Sequence, residues 1–180
     1  NDSRRKIDVM QIIYLNTIEY SINIIGWGMI ADIGRLSEKI RWLGPIRYTL
    51  ASLIYILNLN KREAKLTIDN NIYNDSYLFI SISNTIFTGK GMKISPSAKL
   101  EDELLDVILL KSKITRFQLF KLLPKVFTGE HIISQAIEYI KAKNINLQDK
   151  SNTMLNIDGE IKGETPVSVS IADKKLNIYN

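Results

Sequence analysis

The stretch YLFISISNTIF, residues 77–87, contains no charged residue and is almost continuously apolar. A strand with only one buried face alternates apolar and polar residues, whereas a continuous run indicates a strand that is covered on both faces. The run LLDVILL, residues 104–110, is also almost continuously apolar, with Asp106 as its one charged residue. We therefore predict that both segments are strands buried on two faces.

Shorter segments rich in β-branched and aromatic residues surround these two runs and are separated by turn residues. Together they give about nine strands, a number typical of an antiparallel sandwich or a barrel. We predict a mainly β domain, an antiparallel β-sandwich with a few short helices. The further predicted strands are 7–15, 18–30, 61–69, 137–147, 153–157, 166–171 and 175–179.

One helical region is predicted over residues 36–59, with an interruption at Gly44-Pro45. Ser37 can cap its first half. Pro45 suits the first turn of the second half, because a proline lacks the N–H group that would be unpaired there. We therefore expect two helices that meet at the Gly-Pro break.

A second helical region is predicted over residues 115–127, where Thr115 can cap the start and Gly129 can end the helix. Apolar residues at helical spacing give this segment a broad apolar face. Pro124 lies inside the pattern, and we expect it to kink the helix.

The composition fits one domain over residues 1–180. The chain is 45% hydrophobic, which is enough to bury a core, and no internal repeat or linker divides it. It has no cysteine, which excludes disulfides and thiolate metal sites. The lack of cysteine also agrees with a reducing compartment, so we expect a cytoplasmic protein.

The formal net charge of +5 raises the question of an anionic partner. Lysines and arginines are interleaved with acids and join no aromatic pattern of an RNA-binding sheet, so we expect no nucleic-acid partner. A transient attraction to an anionic membrane surface is compatible with the charge. No apolar run reaches the roughly 18 residues of a membrane span, so we expect peripheral association.

The first residues do not have the pattern of a secretory signal peptide, since 1–6 are polar and no apolar region follows them. The sequence does not begin with methionine, and it enters a strand pattern at once. We therefore expect this chain to be part of a longer polypeptide.

Arg47 lies in the first turn of the helix predicted to begin at Pro45, where the helix dipole disfavours a cation by about 0.3–1 kcal/mol. A bound anion would offset this cost, because the free N–H groups at a helix start and a guanidinium group both favour phosphate. Arg41, on the other side of the Gly-Pro break, could reach the same ligand. The alternative is that both arginines are solvated or paired with acids such as Glu38.

Three blocks of sequence resemble a family of kinases. Residues 27–32 (WGMIAD) and 37–50 (SEKIRWLGPIRYTL) are similar to sphingosine kinases, and SEKIRWLG is also similar to ceramide kinases. Residues 89–106 (GKGMKISPSAKLEDELLD) are similar to the GGGMKIAPxAxxDDGLLD block of the diacylglycerol kinase catalytic family. Residues 156–160 (NIDGE) match the late DGE motif of that family. The blocks follow the order of the family across nearly the whole chain.

This resemblance implies the lipid-binding β-sandwich half of a two-domain lipid kinase, whose N-terminal α/β domain binds the nucleotide. Such a kinase uses ATP and Mg²⁺ to phosphorylate a hydroxyl of sphingosine, diacylglycerol or ceramide. The GGDGT loop of the nucleotide domain, with the aspartate that deprotonates the lipid, does not occur in this sequence. We therefore expect these residues to be inactive without a nucleotide domain. The alternative is a non-catalytic lipid-binding or regulatory module.

The resemblance assigns nucleotide-phosphate contacts to Arg41 and Arg47, in agreement with the argument from the helix start. It places Asp158, Gly159 and Glu160 at the cleft between the two domains. There the carboxylates of Asp158 and Glu160, the implied catalytic residues, would help to arrange Mg²⁺ and nucleotide, and Gly159 would allow close backbone approach. Taken without the resemblance, Asp-Gly-Glu is more typical of a hairpin turn.

The resemblance also implies a lipid pocket inside the sandwich, opened by residues 115–131. Without the resemblance, an apolar helix face is more typical of core packing. A single histidine is more typical of a hydrogen-bonded loop residue than of a functional one. Sphingosine kinases carry a second acid two residues after Asp32, which meets the amino-alcohol head group. Here that position is Gly34, so diacylglycerol and ceramide are serious alternatives to sphingosine. The residues assigned to lipid are Asp32, Tyr48, Leu119, Leu122, Leu123, Phe127 and His131.

Bacterial relatives bind a structural cation in the loop that corresponds to the third block. The resemblance assigns its ligands to the carboxylate of Asp102 and to the backbone carbonyls of Leu100 and Leu104. Such an all-oxygen set suits Mg²⁺ or Ca²⁺. Glu103 stands where the family commonly has glycine, so its carboxylate could add a ligand or disrupt the turn. The alternative is an acidic surface turn without a metal.

Overall fold

The computed structural model describes residues 4–89 and 91–179. Within these residues an antiparallel sheet of eleven strands and a separate pair of strands confirm the mainly β fold. The strands are β1 (Arg4–Ile7), β2 (Met10–Tyr14), β3 (Thr17–Ser21), β4 (Ile24–Gly28), β5 (Arg62–Ile68), β6 (Asn71–Ser83), β7 (Leu105–Lys111), β8 (Ile137–Ala142), β9 (Asn144–Asp149), β10 (Met154–Ile157), β11 (Glu160–Glu164), β12 (Val167–Ile171) and β13 (Leu176–Tyr179).

Strand β6 is the branch point of the large sheet. Its first half, residues 71–77, pairs with β5, and its second half, residues 79–83, lies between β4 and β7. The sheet continues beyond β5 through β9, β12, β2 and β3, and beyond β4 through β10 and β11, while β8 extends β7. Because the two parts diverge from one strand, the sheet curls around a core in the manner of a sandwich.

The second half of β6 and nearly all of β7 are buried on both faces, as their continuous apolar runs predicted. Inside the curled sheet, one buried cluster includes Trp27, Leu66 and Leu105. On the opposite face of β6 and β7, a second buried cluster includes Phe79 and Leu110. Three helices cover this second cluster, so both faces of the central strands exclude water.

The helices are α1 (Met29–Lys39), α2 (Ile46–Asn58) and α3 (Arg116–Thr128), with short 3₁₀ turns at Arg41–Leu43 and Glu130–Ile133. The predicted interruption at Gly44-Pro45 is confirmed, with Pro45 in the N-cap position, directly before α2. None of the helices in the described part of the chain is long and apolar enough to cross a bilayer.

Helix α3 has the predicted ends. Thr115 accepts a hydrogen bond from the backbone N–H of Gln118, whose side chain accepts one from the Thr115 N–H in return. This reciprocal pair satisfies two N–H groups that a helix start leaves free. Gly129 ends the helix in the left-handed conformation, with a φ of 85°. Pro124 lies inside the helix, as predicted.

Helix α1 corrects the prediction that residues 18–30 form one strand and that Ser37 caps a helix from residue 36. Strand β4 ends at Gly28, and the helix begins at the next residue. Gly28 permits this reversal because it adopts a φ of 72°, where an added Cβ would lie 2.6 Å from the carbonyl oxygen of Leu78. Ser37 is buried in the last part of α1 and donates to the carbonyl of Gly34 at 2.8 Å.

The structure also divides longer predicted strands. Residues 7–15 contain the last residue of β1 and all of β2, and residues 137–147 contain β8 and part of β9. The prediction of about nine strands was therefore too low. Strand β11 was missed because its segment, EIKGE, alternates poorly and contains a glycine.

Candidate lipid and nucleotide site

The bend between α1 and α2 brings Arg41 and Arg47 to one carboxylate. Arg41 lies in the 3₁₀ turn, and Arg47 is the second residue of α2. A guanidinium nitrogen of Arg41 lies 3.4 Å from Glu38, and one of Arg47 lies 3.6 Å from it. The pairing with Glu38 that the sequence left open is present, and its geometry lets both cations face one anion.

Arg47 is more firmly held than Arg41. Its side chain is 20% exposed, against 70% for Arg41. The guanidinium lies 4.8 Å from the ring centroid of Tyr48 and donates to the Tyr48 hydroxyl at 3.2 Å, and this hydrogen bond raises the pKa of Arg47. Tyr48, which was assigned to the lipid pocket, is therefore used to orient this arginine.

Asp158 and Gly159 form the hairpin turn between β10 and β11, with φ values of 51° and 94°. An Oδ1 atom of Asp158 accepts hydrogen bonds from the Ser21 hydroxyl at 2.7 Å and the Ile24 N–H at 2.9 Å. The carboxylate of Asp158 thus fixes the hairpin to the loop before β4.

The other two residues of the motif are more open. Glu160 is exposed, and its carboxylate lies 3.1 Å from the ammonium group of Lys162. An added Cβ at Gly159 would meet no atom within 4 Å, so in this structure its glycine is required by the positive φ and not by close packing.

Helix α1 packs directly against this hairpin at Gly34. An added Cβ there would lie 2.7 Å from the side-chain nitrogen of Asn156 and 3.0 Å from the Cδ1 of Ile161. The position that carries a head-group acid in sphingosine kinases is therefore occupied by two side chains of the hairpin, and an aspartate would fit only if those side chains shifted.

Asp32 is buried in α1 and forms an ion pair with Arg62 of β5, at 2.8 Å. Arg35 lies farther away, at 3.8 Å from the same carboxylate. One guanidinium nitrogen of Arg62, Nη1, is buried and has no hydrogen-bond partner. No local pattern predicted a role for Arg62, because its partner lies 30 residues earlier and only the packing of α1 on the sheet brings them together.

An apolar cavity of about 70 Å³ lies between the three helices and the outer face of β6 and β7. Four residues assigned to lipid line it: Leu119, Leu122, Leu123 and His131. Tyr48 and Phe127 do not line it and are 43% and 49% exposed. The cavity therefore lies under the helices and not inside the curled sheet, where the pocket was expected. The lining residues missed by the sequence analysis are Met29, Ile33, Ser52, Ile56, Phe79, Leu110, Val126 and Ile137.

His131 is buried at the inner end of this cavity. Its Nε2 lies 3.0 Å from the carbonyl oxygen of Ile94, so the neutral ring donates one hydrogen bond, while its Nδ1 is buried without a partner. Burial lowers the pKa of His131 below its ordinary value. His131 is thus the hydrogen-bonded residue that the sequence analysis named as the alternative, and it also faces the cavity.

We expect the free energy of unfolding to fall when the pH drops below about 6.5, the ordinary pKa of histidine, because the unfolded chain then binds a proton that the folded chain resists. The limiting slope is about 1.4 kcal/mol per pH unit. Urea unfolding at several pH values between about 5 and 7.5 measures it. His131→Gln can keep the bond to Ile94, and it should remove this part of the slope. Parallel curves for the two proteins would show that the pKa of His131 is the same in the folded and the unfolded chain.

Two of the three ligand groups assigned to a structural cation in the loop 100–104 are engaged by other residues of the chain. The carbonyl of Leu100 accepts from the Asp8 N–H at 2.7 Å, and Asp102 accepts from the Lys141 ammonium at 2.8 Å. The other Asp102 oxygen lies 3.3 Å from the N–H of Leu104. In the described part of the chain, no group of three or more acidic or histidine side chains is arranged to hold a metal ion. Because the Lys141 ammonium group already pairs with the one carboxylate assigned to the metal, the residues present do not fit the implied cation.

Glu103 neither joins such a site nor disrupts the turn. It adopts a φ of 56°, which suits the glycine common at this position, and its carboxylate pairs with Lys175 at 2.8 Å. Both Lys175 and the backbone N–H of Glu103 also bind the buried carboxylate of Asp8. The loop is thus held by side chains of this chain.

The chain matches the family model described as YegS C-terminal NAD kinase beta sandwich-like domain over residues 23–180. Among curated proteins, a diacylglycerol kinase of Bacillus subtilis is 27% identical, over 92% of this chain and 54% of that protein. Sphingosine kinase 2 of Arabidopsis thaliana is 26% identical, over 98% of this chain and 46% of that protein. The chain spans about half the length of these curated relatives.

Solved structures show the same fold. A candidate diacylglycerol kinase from Bacillus anthracis superposes with a TM-score of 0.75 at 23% identity, covering 99% of this chain and 58% of that chain. A second structure of a diacylglycerol kinase from the same organism gives a TM-score of 0.65 at 19% identity. At these identities the comparison supports the fold alone.

Proposed function

Because the chain belongs to the family of YegS C-terminal NAD kinase β-sandwich-like domains, we propose that it is the lipid-binding half of an ATP-dependent lipid kinase. The complete enzyme would transfer the γ-phosphoryl group of ATP to a hydroxyl of a sphingosine-type base, diacylglycerol or ceramide. The names of the curated relatives support diacylglycerol and sphingosine among these substrates, whereas ceramide rests on the resemblance of residues 37–44 alone.

The arrangement around α1 carries the proposal. Within eleven residues this helix contributes Ile33 to the apolar cavity, the buried Asp32 to the pair with Arg62, and Glu38 to both arginines. At Gly34 it also contacts the hairpin that bears the Asp-Gly-Glu motif. A lipid tail, a polar head group and a phosphate chain need these three environments side by side.

Each environment has a distinct role in the proposed reaction. The cavity residues would hold the acyl chain. Asp32 would accept hydrogen bonds from the head group, and Arg62 would donate hydrogen bonds to it. Arg41 and Arg47 would bind the nucleotide phosphates in place of Glu38, whose side chain is 45% exposed and free to turn into solvent. Phosphoryl transfer depends mainly on such positioning and charge neutralisation.

ATP would supply the phosphoryl group, and Mg²⁺ would neutralise charge on its phosphates. In this chain the exposed carboxylate of Glu160 pairs with Lys162 at the surface and can turn to face the metal, whereas that of Asp158 is committed to the loop before β4. We therefore assign metal contact to Glu160 and positioning of the hairpin to Asp158. The base that deprotonates the lipid hydroxyl would belong to the nucleotide domain.

A peripheral contact with an anionic membrane belongs to the same proposal. Residues 111–129, which include α3, contain five lysines and arginines and no acid. Helices α2 and α3 each carry a second apolar stripe that faces solvent and follows helical spacing. We call these the outer stripes; their residues are Ile46, Leu50, Ile54 and Leu57 on α2 and Phe117, Phe120 and Phe127 on α3.

Replacing Arg47 by alanine in the complete protein that carries this chain should raise the nucleotide KM by roughly 10- to 100-fold, because hydrogen bonds to a charged group contribute about 1.5–3 kcal/mol. Initial rates over a range of ATP concentrations, with sphingosine, diacylglycerol and ceramide as acceptors, provide the measurement. The free energy of unfolding should change little, since the partners of Arg47 are exposed or half exposed.

Arg5→Ala is the matched control, because Arg5 also pairs with a half-exposed glutamate but lies in β1. It should leave the nucleotide KM unchanged. An unchanged KM in Arg47→Ala would remove Arg47 from the nucleotide site. Lipid binding without any phosphoryl transfer by the unaltered protein would instead favour the non-catalytic lipid-binding module.

A further inference from the structure

Two lysines lie where the loop 100–104 would otherwise require a cation. Asp106 in β7 is fully buried, and it lies directly across from Lys141 in the pairing of β7 with β8. The Lys141 ammonium lies 2.8 Å from Asp102 Oδ2 and 3.5 Å from Asp106 Oδ1. One positive charge therefore faces a carboxylate of the loop and a carboxylate of the core.

A second lysine acts in the same way on the other side of the loop. The Lys175 ammonium lies 3.1 Å from Asp8 Oδ1 and 2.8 Å from Glu103 Oε1. Asp8 is fully buried, and its other carboxylate oxygen accepts a hydrogen bond from the Glu103 N–H at 2.8 Å. Each buried carboxylate, Asp8 and Asp106, is thus paired with one lysine that also reaches the loop.

We infer that the ammonium groups of Lys141 and Lys175 replace a divalent cation in this loop, so that its folded conformation is independent of metal. A buried carboxylate requires a compensating charge, which either a metal ion or a lysine can supply. With Lys141 bound to Asp102, the one carboxylate assigned to the metal already has its counter-ion. The fold of the loop then depends on residues 141 and 175 of the same chain.

Thermal unfolding of the complete protein tests this inference, with samples in EDTA, in millimolar MgCl₂ and in millimolar CaCl₂. With nucleotide left out, we expect the three midpoints to agree within about 1 °C, because ligand-linked stabilisation is absent when the loop binds no metal. A midpoint several degrees higher in either metal than in EDTA would overturn the inference. This comparison needs no variant, so it is decisive even if substitutions prevent folding.

Lys141→Met should lower the midpoint in EDTA by roughly 6–15 °C, since removing one partner leaves a buried carboxylate without its counter-ion. Part of this loss should be recovered in MgCl₂ or CaCl₂, because the vacated carboxylates can then bind metal. Lys150→Met is the matched control, because Lys150 pairs with an exposed glutamate, and it should change the midpoint by at most about 2 °C. A Lys141→Met midpoint equal to that of the control would overturn the inference.

Discussion

Replacing Leu123 by tryptophan should reduce lipid phosphorylation by the complete protein about 100-fold, with little change in the nucleotide KM. Leu123 lines the apolar cavity and is half-buried, so the larger ring can fill the cavity while α3 keeps its place. Excluding three or four methylene groups of an acyl chain costs about 3 kcal/mol, which corresponds to this factor. Rates are measured in detergent micelles, so that membrane attachment does not contribute.

Phe120→Trp is the control for this substitution, because Phe120 lies on the same helix but is 55% exposed and does not line the cavity. It should leave the rate unchanged. Overpacking can also destabilise the fold by about 1–3 kcal/mol, so unfolding by urea is measured for both variants. A stable Leu123→Trp protein with the original rate would show that the acyl chain binds elsewhere.

The cavity is small for a lipid chain. About 70 Å³ is much less than the roughly 300–1,000 Å³ of a typical pocket for a small molecule. A long acyl chain can therefore enter only if the cavity widens, and the helices are the walls that can move, since they lie outside the sheet. The helix residues that line the cavity are mostly apolar, and apolar contact resists a shift less than a hydrogen-bonded ladder does.

The periodicity of the sequence predicted those parts of the molecule that depend on local patterns. Strand β7 and the second half of β6 were recognised because both of their faces are covered, which removes polar alternation. Helix α3 was recognised because its cap residues and apolar spacing agree. For the same reason, three leucines of α3 were correctly grouped, and they line one cavity.

Helix α1 was partly missed because its first residues, MIADIG, are rich in isoleucine and continue the composition of β4. The deciding feature is the conformation of Gly28, and a positive φ cannot be read from the residue type alone. Contacts between segments far apart in the sequence could not be predicted either. The pairs of Asp32 with Arg62 and of Asp102 with Lys141 depend on helix packing and on strand register, which local patterns do not determine.

Exchanging both Phe117 and Phe120 for serine should weaken binding of the complete protein to anionic vesicles about 100-fold. The two rings lie on the outer stripe of α3 and are 67% and 55% exposed. Burying each at a membrane surface contributes about 1.5 kcal/mol, so the pair contributes about 3 kcal/mol. Sedimentation with vesicles of phosphatidylserine and phosphatidylcholine measures the partition coefficient.

The matched control replaces Ile18 and Tyr20 by serine, since these residues are 57% and 59% exposed but lie in β3. Their loss should leave vesicle binding unchanged, and equal weakening by both pairs would contradict docking through α3. The charge around the outer stripe gives a second criterion. Lys121 lies over the ring of Phe117, at 4.3 Å, and no acid occurs between residues 111 and 129. Binding should therefore fall steeply when phosphatidylserine is omitted or when salt screens the lysines, because each basic residue near an anionic surface contributes about 1 kcal/mol.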